Sequence, residues 1–256
     1  MFKRILQIIF ILSAIALIAS YFMKDKLPEK SEIDERLFQE PIQEHTDKEP
    51  FEKKVGDITY NIKPITSYEL YGLVVTYHNA NKWWDYYHKV WNDFINLKDV
   101  CVIWGSNIDT EVYKQMKFKS GSWTCYMESK SGAGQEVQSK FSFSHLSNNH
   151  LLADNEEIAR EIMSTEIGDQ IHLKGYLVEY SSNDGQFQRK TSTFREDTGN
   201  NACEVVYLTD FEIIKKKEDI YREIYKYSKY PLIGSIIIFV IYLFWSPLSR
   251  KKDKKK

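Results

Sequence analysis

The chain has 256 residues, with 35 Lys and Arg against 36 Asp and Glu and a formal net charge of -1. That length holds one ordinary domain plus accessory segments. The balanced charge excludes the global basicity expected of a nucleic-acid binder, while 14% aromatics suit membrane interfaces and a packed β-core.

Residues 1–23 read as an N-terminal transmembrane signal-anchor. The run Ile5 to Met23 is interrupted only by Gln7 and serines. It approaches the roughly 20 residues a helix needs to cross hydrocarbon. A cleaved signal peptide is the competing reading, but no small-x-small site precedes a polar start. Residues 24–55 are charged and proline-punctuated, and are expected to be a tether too polar to bury a core.

Residues 56–214 are expected to form an exported α+β domain. Ile58 to His78 alternates and then turns apolar, as one or two strands would. Lys82 to Leu97 follows with helical period. Trp84, Tyr87, His88, Trp91, Phe94 and Ile95 fall on one broad face, so Trp91 is expected in the core. Asn79 or Asn81 is a candidate cap. DVCVIWG, SGSWTCYME and QSKFSFSHL read as strands. ADNEEIAREIMST reads as a second helix, with Asp154 and Glu157 at capping spacing. GDQIHLKGYLVEY and NACEVVYLTDFEII close the domain as strands.

Residues 215–230 read as a juxtamembrane helix and 231–248 as a C-terminal transmembrane helix with no charge. Tyr225, Tyr227, Tyr230 and Trp245 mark its edges, where aromatic rings favour the headgroup level. Residues 249–256 form a basic tail. Lys3 and Arg4 at one end and RKKDKKK at the other place both termini in the cytoplasm, and the central domain outside it. Lys24, Lys26 and Lys215 to Lys217 oppose this, but long translocated domains largely escape the charge rule. The expected location is an inner or plasma membrane.

The fold class implied is α+β: a curled antiparallel, barrel-like sheet with two packed helices, flanked by two transmembrane helices. Gly168-Asp169, the alternation Ile171, Leu173, Gly175, Leu177 and the closing VVYLTDFEII strand give residues 167–214 a resemblance to an OB-fold module. The resemblance implies a small barrel and no catalytic residues.

The cysteines are Cys101, Cys125 and Cys203. None are spaced C-x-x-C, which excludes thioredoxin-type and zinc-knuckle motifs. An exported domain favours a disulfide. Cys101 with Cys125 is the expected pair, and either one paired with Cys203 would satisfy the same chemistry. Buried free thiols and a nucleophilic Cys101 are the alternatives. Asp99 and the apolar neighbours of Cys101 disfavour a thiolate. His78 ends a strand, and Asp85 and His88 stand three apart, as half of a metal site would. A satisfied core histidine is the commoner outcome, and neither metal nor cofactor is expected.

Two polar stretches are expected to be binding loops: Arg189 to Asn201, and Ser147 to His150. Arg189 and Arg195 are placed to clamp a carboxylate or phosphate, with Asp197, Asn149 and His150 beside them. P-loop, G-x-S-x-G and H-E-x-x-H motifs are absent. The reading is therefore a membrane-anchored protein presenting an extracytoplasmic binding or assembly domain, with the lipid bilayer and an envelope protein as partners and no nucleic acid. The alternative is a membrane-anchored hydrolase or transferase acting on an envelope substrate.

Overall fold

A computed structural model describes residues 2–80, 85–121, 123–185, 187–194 and 203–245. In chain order its elements are α1 (Phe2–Met23), β1 (Ile42–His45), β2 (Phe51–Val55), β3 (Ile58–His78), α2 (Tyr86–Val90), β4 (Asn96–Ile103), α3 (Ser106–Asp109), β5 (Met116–Ser120), β6 (Cys125–Ser129), α4 (Gln135–Lys140), β7 (Leu146–Leu152), α5 (Glu156–Ser164), β8 (Gln170–Ser182), β9 (Gln188–Arg189), β10 (Glu204–Lys215) and α6 (Ile220–Trp245). The chain divides into two units, residues 1–26 with 218–256, and residues 27–217.

The first unit is a pair of antiparallel helices. Phe2 lies 6.2 Å from Tyr242 by ring centroids, and Tyr21 lies 6.0 Å from Tyr225. In α1 the buried residues are Leu6, Ser13 and Ser20, one heptad apart, and in α6 they are Ser228 and Ser235. Small residues at that spacing let two helix backbones approach closely. Their hydroxyls turn back to the helix: Ser20 Oγ donates to the Ala16 carbonyl at 2.6 Å, and Ser235 Oγ to Leu232 at 2.7 Å. Isoleucine, leucine and phenylalanine face outward along most of both helices. Both are long and apolar enough to cross a membrane. The juxtamembrane helix expected from residue 215 begins at Ile220, because β10 runs to Lys215, and it continues through Pro231 into the second apolar segment as one helix, α6.

In the second unit β3 pairs with β4, β4 with β7, β7 with β10, β10 with β8, and β8 with β3 again. The pairing therefore closes a five-stranded barrel. Every pairing in it is antiparallel except β7 with β10. Connectivity permits that exception, because α5, β8 and β9 intervene and supply the long crossover a parallel pair needs. β3 is 21 residues long, and its register shifts at Pro64, a residue that has no N–H to give to a ladder. Where β8 crosses β10, a Cβ on Gly175 would stand 2.1 Å from the Tyr207 carbonyl oxygen, so only glycine fits.

Alternation fills the barrel. Tyr68, Leu70, Val74, Val100, Val102, Leu151, Leu173, Leu177, Val206 and Leu208 point inward, and Ile162 of α5 joins them. The cap of α5 is Asn155, whose Oδ1 accepts from the Glu157 and Ile158 amides, rather than Asp154. Asp154 instead takes the Tyr207 hydroxyl at 2.6 Å and Lys53 at 2.6 Å. The buried Lys98 donates to the Thr165 carbonyl at 2.5 Å and lies 3.9 Å from the Tyr77 ring. A cation at a helix C-terminus is favoured by the helix dipole.

Residues 24–55 are not a tether. Leu37 is fully buried, Gly105 donates to the Leu37 carbonyl, and Tyr113 donates to Pro28 at 2.7 Å. β1 and β2 both pair with β3. Of the few apolar residues here, Leu27, Ile33, Leu37 and Phe38 pack on one outer face of the barrel, and Phe51 and Val55 pack on another. The QSKFSFSHL strand is also replaced, by α4 and a 3-10 turn at Phe143–His145. Phe141 is buried there and Phe143 is exposed, so the alternation that suggested a strand arises at the end of a helix.

Candidate functional site

Strand pairing sets the site. His78 is opposite Asp99, Asp99 is opposite His150, and His150 is opposite Val205. Directly opposed residues share a face of the sheet. The neighbouring Val100 and Leu151 point inward, so this row points outward. It lies between two apolar clusters on the outer surface, one around Cys101 and Ile103, the other around Ile95, Leu152, Tyr180 and Val205. The result is a strip of ionisable side chains where a barrel exterior is otherwise packed.

The covering loop adds more. The helix predicted over Lys82 to Leu97 is reduced to the single turn of α2, which ends at Asn92 with φ 55°. Residues 81–84, including Lys82 and Trp84, lie outside the described residues. Asp85 caps the turn, its Oδ1 accepting the His88 amide at 3.0 Å. His88 is 1% exposed, but Trp91 is 39% exposed and is not core. A helix this short buries only the side chain under it. Trp91 instead stacks on Trp123, 5.0 Å away at 23°. Trp123 covers the His88 ring at 4.3 Å, and the Arg189 guanidinium lies over Trp123 at 4.4 Å.

Trp123 is delivered by the β5–β6 hairpin. The Cys101 and Cys125 sulfurs stand at disulfide distance, 2.25 Å, with Cα atoms 6.3 Å apart. This joins the hairpin to the outer face of β4 two residues from Trp123. Cys203 is a free thiol whose Sγ donates to the Trp123 carbonyl at 3.4 Å. Burial pushes its pKa up, which suits an inert thiol rather than a nucleophile.

Asp99 and His150 are each 1% exposed and 2.5 Å apart. Burial pushes the Asp99 pKa up, but the charge and hydrogen bond of His150 and the Asn96 amide outweigh it, and the carboxyl is held below its usual range. Burial holds His150 below its usual value against the pull of Asp99. A neutral His150 donating from Nδ1 to an ionised Asp99 satisfies both. Tyr180 donates to both Asp93 oxygens, at 2.9 and 3.0 Å. Burial pushes Asp93 up to about 6, against the pull of His88, Arg189 and Tyr180.

Asp93 yields a signed prediction. Its folded pKa is raised, so between roughly pH 4 and 6 the folded state binds more protons than the unfolded one. Stability from this group is present below the unfolded value and lost as pH rises through about 6. Asp93→Asn keeps an acceptor for Tyr180 and has no charge to bury. The variant should gain on wild type as pH rises from 4 to 6, by on the order of 1–3 kcal/mol, and hold that gain above. Urea melts across that range would read it, and a difference independent of pH would refute the assignment.

The residues expected to bind are distributed unevenly. Ser147 to His150 is not a loop but part of β7, and a strand sends neighbours to opposite faces. His150 faces the strip, whereas Asn149 is fully buried, donating from Nδ2 to Ser147 Oγ at 2.7 Å. They cannot share a ligand. Arg189 reaches the strip from β9, and Arg195 and Asp197 lie outside the described residues. Asp93, Asn96 and Trp123 are not among the expected site residues: Asp93 and Asn96 fall inside the helix predicted over Lys82 to Leu97, and it is the earlier start of β4 at Asn96 that brings the Asn96 amide to Asp99.

A second cluster lies around α3. Ser106 Oγ is 2.6 Å from His145 Nδ1, and His145 Nε2 is 2.5 Å from Glu40 Oε1. Trp104 Nε1 donates to the other Glu40 oxygen at 3.1 Å. These bonds clasp the segment beginning at residue 27 to the barrel. No family model, curated protein or solved structure matches the chain.

Proposed function

We propose that this is a membrane-anchored protein presenting an OB-like domain outside the cytoplasm, where it binds an envelope protein. The observation that carries the reading is the strip itself: buried Asp99 and His150 on the outer face of β4 and β7, joined by buried Asp85, His88 and Asp93 from the loop bearing α2 and roofed by Trp91, Trp123 and Arg189. Buried ionisable groups are costly, and packing alone does not call for them. The closed five-strand order with one parallel pair supports an OB-like barrel, built from β3, β4, β7, β8 and β10 rather than from residues 167–214 alone, which hold only β8, β9 and β10. In such barrels the second and third strands, with the loops after the first and fourth, carry the ligand. Here these are β4, β7, the loop bearing α2 and the loop bearing Arg189. Basic residues outside both apolar helices support cytoplasmic termini, and a cysteine pair at disulfide distance suits an oxidising compartment.

Site-specific photocrosslinking in native membranes tests this. A crosslinker at Trp91 should capture a partner, and Arg189→Ala should reduce the yield severalfold. A crosslinker at Tyr126, exposed on the β5–β6 hairpin, should capture none. Equal capture from both sites, or protection of the domain from protease in spheroplasts, would count against the reading.

The hydrolase alternative is supported by the Ser106–His145–Glu40 relay, in which Nδ1 would take the serine proton. Glu40 is largely exposed, and the relay already has a structural task. A fluorophosphonate that labels Ser106 would favour the alternative.

A further inference from the structure

We infer that His78, Asp85 and His88 form a binding site for one divalent first-row transition ion, zinc before others. The donor atoms of these three residues all lie within 4.8 Å of one another. His78 Nε2 is 2.5 Å from Asp85 Oδ2, and His88 Nδ1 is 3.0 Å from Asp85 Oδ1. Tetrahedral zinc with ligands at about 2.0–2.2 Å needs donors roughly 3.3–3.6 Å apart, so small side-chain rotations suffice. Two imidazoles and one carboxylate suit zinc, and leave a position for water or a further ligand.

An independent observation points the same way. His88 Nδ1 is buried and makes no hydrogen bond, although Asp85 Oδ1 stands 3.0 Å away. An ion held between the two would give that nitrogen a partner. The other ring nitrogen, Nε2, lies 4.0 Å from Asp93 Oδ2. A metal-bound histidine donates its far N–H to a carboxylate or carbonyl, and a small turn toward Asp93, away from Asn96 Nδ2 at 3.2 Å, would supply that partner.

The other described histidines do not offer this. His45 with Asp47, His145 with Glu40, His150 with Asp99 and His172 with Glu69 each pair with an acid, but the described residues bring three such donors within reach only at His78, Asp85 and His88. The mounting is also favourable. His78 ends β3, while Asp85 and His88 belong to the turn of α2, so an ion would clip the loop between them to the barrel. The His78 side chain is partly exposed, which leaves an approach for the ion. The inference stands apart from the binding reading, since the ion would be held whether or not the face takes a partner.

The test uses the full chain in detergent, stripped with chelator and dialysed against zinc at micromolar concentration. Wild type should retain one zinc per chain by elemental analysis and melt at a higher temperature than the stripped protein. Cobalt should give visible absorption of a four- or five-coordinate site without a thiolate charge-transfer band. His78→Gln and Asp85→Asn should each weaken zinc affinity by more than about tenfold. Asn still caps α2 in the second variant, and the exposed His45→Gln should change nothing. Wild type that retains no zinc would overturn the proposal, as would folded variants that bind like wild type. A thiolate band would move the ion to Cys203 and also overturn it. If Asp85→Asn fails to fold, His78→Gln decides.

Discussion

Asp99→Ala should destabilise the domain by about 3–5 kcal/mol, the range for removing one partner of a buried charged pair. The loss comes less from the contact than from what remains. His150 Nδ1 and the Asn96 amide both bond Asp99 Oδ1, at 2.5 and 2.9 Å, in a site that water does not reach. Replacing Asp99 and His150 together by leucine should cost less than the single change, because His150 is then no longer stranded and only the Asn96 amide loses its acceptor. The acid response carries a sign. The folded pKa of Asp99 is depressed, so its contribution is present above about pH 4 and is lost as pH falls through the folded value. His150 is also depressed, so below about pH 6.5 the unfolded chain takes up a proton that the folded one refuses, and stability falls. The double leucine variant should lack both acid losses. Chemical melts at pH 7 and pH 5 test this, and a single variant within 1 kcal/mol of wild type would show that the pair is solvated.

Replacing Cys101 and Cys125 together by alanine should cost about 3–4 kcal/mol under non-reducing conditions, the loop-closure value for cysteines 24 residues apart. Cys203→Ala should cost much less. The hairpin that carries Trp123 has the disulfide as its covalent hold on β4, so the double variant should also shift tryptophan emission as the Trp91–Trp123 stack loosens. Non-reducing peptide mapping that links Cys203 to either partner would correct the pairing, and a double variant as stable as wild type would refute its contribution.

The parts of the fold that could be read from sequence share one physical cause: long unbroken patterning. The strands β3, β8 and β10 alternate over many residues, and the two apolar helices need no other context. The misreadings share another. Between residues 24 and 55 a handful of apolar side chains is enough to dock a segment, because the barrel supplies the complementary surface; composition averages cannot see that surface. Lys82 to Leu97 has helical period, yet Asn92 takes a left-handed turn and Asn96 joins β4, so tertiary pairing overrides the local pattern. The candidate site was nearly invisible for a similar reason. His78, Asp99 and His150 are spread widely along the chain and meet only through strand register. Asn149 and His150 looked like neighbours in a loop, and a strand sets them on opposite faces.

Barrel closure also has a consequence for how the chain acquires its structure. The ladder between β3 and β8 joins Tyr60 to Ser182 and Leu73 to Gln170, so its partners are separated by roughly a hundred residues of chain. Such non-local pairing makes folding slow, since loop entropy is lost before contacts compensate. β10 completes the ring at Lys215, and α6 begins at Ile220. The nascent domain therefore cannot close until the ribosome has nearly reached the second apolar helix. Until β10 arrives, β7 and β8 each carry an open edge exposed to mispairing, so the yield of folded protein should depend on how quickly the last strand follows.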